Sequence, residues 1–133
     1  MATRDAVFPA GRQDLYEQFR YSPAVRSGGF LFASGQVGSR EDGSPEPDLP
    51  RQAELAFENL DAVLAAAGCT FADIVDLTVY VVDPEVMLPH FIAAREKWWG
   101  EPPYPTLTGV GVTWLSGFSI ELKAVARLRE ESA

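Results

Sequence analysis

Between Ser119 and Leu128 the chain alternates so strictly that little but a two-faced β-strand can accommodate it. Ile120, Leu122, Ala124, Ala126 and Leu128 fall on one side, and Glu121, Lys123, Val125 and Arg127 on the other. Successive side chains of a strand point to opposite faces, so this segment buries one face and leaves the second for water or a partner. The buried face needs cover, and two stretches supply it. Leu55, Leu60, Val63, Leu64 and Ala67 recur at helical spacing from about Arg51, with Gly68 as a natural stop. Asp83-Pro84-Glu85 reads as an N-cap, a proline at the first helical position and an acid in the first turn. That second helix should run to about Trp99 and end before Pro102-Pro103.

Further strands are expected. Phe30 to Gln36 reads as one strand with Phe30, Phe32, Ser34 and Gln36 on one face, preceded by a shorter strand near Pro23 to Arg26. Ile74 to Val82 is rich in β-branched residues and predicts a strand buried on much of both faces. Thr106 to Thr113 predicts another, and an extra strand is expected near Ala6 to Phe8. Ser39 to Pro50, with its prolines among acids, reads as an exposed loop. The sequence therefore predicts one α+β domain over residues 1–133, with a single mixed sheet and both helices on one face. A chain of this length has no spare element for the other face, so a symmetric oligomer should cover it.

Charge bounds the partners. Eleven basic and nineteen acidic residues give a formal net charge of −8, and the basic ones are scattered. A phosphate backbone calls for clustered Lys and Arg, so nucleic acid is not an expected partner. The apolar stretches are too short to span a bilayer, so no membrane association is expected. A lone cysteine, Cys69, and the lack of a secretory signal fit the cytoplasm. The sole histidine, His90, has no ligand partners at suitable spacing, and neither a metal nor another cofactor is expected. Gly109 and Gly111 lie in a strand rather than a phosphate loop, where small residues permit close packing.

Two features could carry chemistry. Ser34-Gly35-Gln36 ends an apolar strand with a hydroxyl, a bare backbone and an amide; it reads equally as simple turn chemistry. Glu121 interrupts an apolar strand, where a carboxylate costs free energy unless water or a partner satisfies it. It is either an outward, solvated residue beside Lys123 and Arg127 or a functional group.

Taken together, Tyr21-Ser22-Pro23-Ala24-Val25, LFASGQVG, Gln52 with Asn59-Leu60, Val63-Leu64, Ala67-Gly68, DIVDLTVYVVD and IELKAVA resemble the RidA/YjgF family of reactive-intermediate deaminases, from about Phe19 to Leu128. That resemblance implies a chorismate-mutase-like α+β fold forming a homotrimer, with a small-molecule ligand in clefts between subunits. It implies that Tyr21, Ser34, Gly35 and Glu121 line the cleft, with Glu121 positioning the attacking water. An arginine on the penultimate strand clamps the substrate carboxylate in imine-hydrolysing members. The matching segment here is Pro105-Thr106-Leu107-Thr108, which puts Leu107, or Thr106 in an ungapped alignment, at that position. No arginine occurs between Arg95 and Arg127, and Ile92 stands at the position of an asparagine that active members often carry. The expectation is a RidA-like homotrimer that binds a small metabolite in its clefts, with hydrolase or deaminase chemistry through Glu121 left open. The alternatives are a deaminase in which Arg20 or Arg26 substitutes for the clamp, and a non-catalytic regulatory binding protein.

Overall fold

A computed structural model of the chain describes residues 4–129. It contains β1 (Asp5–Val7), α1 (Gln13–Phe19), β2 (Ala24–Ser27), β3 (Phe30–Ala33), β4 (Gln36–Val37), α2 (Leu49–Ala66), β5 (Ile74–Val82), α3 (Pro84–Trp98), β6 (Thr106–Val112) and β7 (Ile120–Arg127). The strands form one mixed sheet in the order β1-β2-β3-β7-β5-β6, with β4 also pairing with β7. Only β5 and β6 run parallel, as a strand–helix–strand crossover requires; the other pairings are antiparallel.

The strand at the C-terminal end behaves as its alternation predicts. Ile120, Leu122, Ala124 and Ala126 are buried, whereas Glu121 and Val125 are half-buried and Lys123 and Arg127 exposed. On the buried side, α2 packs on β4 and β7, and α3 packs on α2 and β5. Phe57, fully buried, lies parallel to Trp98 with ring centroids 6.3 Å apart and stacks on Phe91 at 5.7 Å. Gly111 allows β6 to approach the start of α3: a Cβ there would come within 2.9 Å of Pro84 Cγ. On the opposite face of the sheet Phe30 and Phe32 remain exposed.

The structure corrects several expectations. A third, short helix, α1, precedes β2. The stretch from Phe30 to Gln36 is two strands rather than one, so its face assignment fails beyond Phe32. In a single chain β5 is fully buried on only one side, its other residues being half-buried and Val75 exposed. Asp83 occupies the N-cap position of α3, but its φ of 53° is left-handed and its side chain makes no capping bond. The loop after β4 is not wholly exposed: Ser39 is buried and bridges to Pro45, and α2 already begins at Leu49. Among the described residues no helix is long and apolar enough to cross a membrane.

Candidate functional site

The site begins with a break in the sheet. From Phe32 to Gln36 is four steps along the chain, while their partners on β7, Val125 and Leu122, are three steps apart. The extra residue is a β-bulge at Ser34-Gly35, which shifts the facing pattern by one. Leu31 and Ala33 face the core before it, and Gln36 is buried after it. Gln36 Nε2 donates to the Tyr16 phenol oxygen on α1 at 3.3 Å, so the bulge carries a buried amide into a satisfied position.

Gly35 lies directly against the Glu121 side chain. A Cβ at Gly35 would stand 2.9 Å from Glu121 Cγ and 2.5 Å from Cδ, closer than any real side chain tolerates. Bare backbone therefore gives the carboxylate its place. Glu121 is half-buried, and burial raises its carboxyl above the ordinary glutamate range, with the nearby Lys123 ammonium pulling the other way. Lys123 is itself engaged, donating from Nζ to the Ala33 carbonyl at 2.8 Å.

The carboxylate faces a cavity of about 260 Å³, walled also by Tyr21, Gly35, Val37, Trp114, Ser116 and Phe118. A larger cavity of about 560 Å³ shares Tyr21, Gly35, Val37, Ser116 and Phe118 and reaches Arg12, Tyr16 and Phe19 of the α1 segment. The Tyr21 ring meets Tyr16 edge-on at 5.0 Å. Burial, the neighbouring Tyr16 and the Glu121 carboxylate hold its phenol above the usual tyrosine value, while the Arg12 guanidinium opposes them. A carboxylate that resists ionisation, a phenol and a hydroxyl around one small space can bind a polar metabolite and handle a water proton.

Of the residues singled out from sequence, Tyr21, Gly35 and Glu121 come together here. Ser34 is adjacent but occupied: its hydroxyl donates to the Ser22 carbonyl at 2.7 Å and its N–H to the Pro23 carbonyl at 2.8 Å. Thr106, Leu107 and Thr108 lie apart within one chain, on edge strand β6 with β5 between them and β7. Thr106 and Thr108 pair with Asp76 and Thr78 and so share Glu121's face, whereas Leu107 pairs with Leu77 on the helix side. The Thr106 hydroxyl donates to Asp76 Oδ1 at 2.6 Å. Arg26 pairs with Asp5 at 3.2 Å, and Arg20, exposed, closes α1 in a left-handed conformation. Neither lines the two cavities. Arg12 and Tyr16 were not legible as site residues, because seven helical residues are too few for periodicity to register. Among the described residues, no group of three or more His, Cys, Asp or Glu side chains is placed to hold a metal ion.

The sheet order and paired helices place the chain in the YjgF/RidA-like α+β class. The chain belongs to the RidA/YjgF family: the family model described as Endoribonuclease L-PSP matches residues 12–128. The RutC family protein YjgH of Escherichia coli (strain K12) is 56% identical over 131 residues, covering 98% of this chain and all of that one. A solved structure of protein YJGH superposes with a TM-score of 0.91 at 56% identity, covering 97% of this chain and 99% of that one. The crystal structure of E. coli TdcF with bound serine superposes with a TM-score of 0.74 at 28% identity, covering 82% and 88%.

Proposed function

We propose that this chain forms a homotrimer that binds a small metabolite in clefts between its subunits, and that Glu121 directs hydrolysis there. The observation that carries this reading is the half-buried Glu121 carboxyl, seated on bare Gly35 and turned into a cavity with Tyr21. For an imine substrate, Glu121 accepts a proton from water as the water oxygen bonds to the C=N carbon. The nitrogen, receiving the π pair, takes up a proton to give a carbinolamine. Glu121 returns its proton to that nitrogen as the carbon–nitrogen bond breaks and the carbinolamine hydroxyl loses its proton, leaving a carbonyl compound and ammonia.

The open sheet face, where exposed Phe30 and Phe32 need cover, supports a symmetric oligomer, and the resemblance to the family makes that oligomer a trimer. An edge strand such as β6 is free to meet a neighbour, which would bring Thr106, Leu107 and Thr108 to the cavity of the next subunit. A related protein, TdcF, holds serine in its structure, which fits a small amino-acid-like ligand. The family model's description speaks of an endoribonuclease, yet a net charge of −8 argues against RNA for this chain.

The experiment is hydrolysis of freshly generated 2-aminoacrylate and of a branched-chain imine, with the oligomer's mass measured by light scattering. A rate above the uncatalysed reaction, lost in Glu121→Gln while trimer mass stays intact, supports the proposal. A wild-type rate no greater than the background refutes the hydrolytic part, and a monomer mass refutes the subunit cleft.

A further inference from the structure

We infer that Arg12 receives the anionic group of the ligand, from the N-cap of the N-terminal helix rather than from the penultimate strand. The inference rests on the cavity being a ligand site, as proposed above.

Arg26, Arg51, Arg95 and Arg129 each lie within ion-pair distance of a carboxylate. Arg12 does not among the described residues; its guanidinium donates to three neutral acceptors instead. Nη1 reaches Ser39 Oγ at 3.0 Å, and Nη2 reaches the Arg40 carbonyl at 3.4 Å and Asn59 Oδ1 at 3.5 Å. These contacts orient the group without neutralising it. A guanidinium has five N–H donors, so capacity for an anion remains.

Position and rigidity agree. Arg12 is half-buried and lines the larger cavity, which shares a wall with the smaller one beside Glu121. The Tyr21 phenol, common to both cavities, feels both charges. A clamp needs fixed geometry, and Asn59 supplies a braced backing: its Nδ2 donates to the Val37 carbonyl at 2.8 Å and the Ser39 carbonyl at 3.1 Å. Leu15, Phe19 and Phe118 give the same cavity apolar wall. A small monoanion with an apolar body therefore binds with its charge towards Arg12 and away from the Glu121 carboxylate.

Benzoate and its neutral near-isostere benzamide serve as probes, titrated by ligand-observed NMR. Wild type should prefer benzoate, and the preference should shrink with added salt. Arg12→Gln should weaken benzoate by about tenfold or more, as loss of a charged hydrogen bond does, while benzamide binding is retained. Retained benzamide binding also reports that the cavity survives the substitution. Arg12→Lys, which keeps the charge but loses the planar fork, should fall between the two. An unchanged benzoate-to-benzamide ratio in Arg12→Gln overturns the assignment and leaves the cavity standing. Binding of neither probe to wild type overturns the cavity reading and this inference with it.

Discussion

Gly35→Ala isolates the geometry of the site with one methyl group. Gly35 does not adopt the left-handed backbone, so alanine brings no conformational strain there. The cost is steric. The new Cβ would stand 2.5 Å from Glu121 Cδ and 2.9 Å from Cγ. Carbon atoms prefer about 3.5 Å or more, so the carboxyl must retreat by about 1 Å. Glu121 is half-buried rather than sealed in, and its flexible end can swing away. Stability should therefore fall by only about 1 kcal/mol, at the low end of overpacking costs. Imine hydrolysis should fall much further, by about a hundredfold or more, because general-base catalysis depends on placement. Paired urea melts and initial rates separate the two effects. The double variant Gly35→Ala/Glu121→Gln should be no slower than Glu121→Gln alone, since both changes remove the same function. A Gly35→Ala protein that hydrolyses imines at the wild-type rate would refute the idea that the seated carboxylate does the chemistry.

Acidification should expose the raised Glu121 carboxyl. The folded chain holds that proton more tightly than the unfolded chain, so wild type should lose stability as pH rises from the ordinary glutamate value through the raised one. Glu121→Gln should lack that slope and gain on wild type above the window; denaturant midpoints measured across it would show the reverse if the carboxylate is instead stabilised by the fold. Phe57→Ala removes a fully buried ring from the Phe91–Trp98 stack and should cost about 3–5 kcal/mol by thermal or urea unfolding. A loss below about 1 kcal/mol would mean this cluster is not part of the core that holds α2 to α3.

The parts of the fold that were legible in sequence are those where periodicity runs long enough to speak. Eight residues of β7 and nine of β5 stand almost where alternation and β-branching put them, and the eighteen residues of α2 carry a clear apolar stripe. Glu121 was legible for the same reason, as a charge inside a regular apolar pattern. The seven residues of α1 were not, and with them went Tyr16 and, at the N-cap, Arg12. Gln52 could be noticed only as part of a family pattern. Its role lies in contacts distant along the chain: it accepts the Ser119 N–H at 2.7 Å and donates to the Glu46 carbonyl at 2.7 Å. Residues that pin loops across the fold leave no local signal.

The bulge is the one place where local sequence pointed to the wrong face and still to the residues that meet Glu121. An unbroken strand would keep Gln36 with Phe30 and Phe32, opposite Glu121, and would place a different residue under the carboxylate. One inserted residue sends Gln36 into the core, where the Tyr16 phenol meets its amide, and leaves Gly35 as the floor beneath Glu121. The Ser34 hydroxyl and N–H, bonded to the Ser22 and Pro23 carbonyls, fix that kink to the segment carrying Tyr21. The same three residues thus set the sheet register, position the phenol and make room for the acid. Turn chemistry and site chemistry were alternatives in the sequence. In the folded chain the kink and the candidate site share the same residues, because a strand must leave its regular path for a glycine to face a side chain so closely.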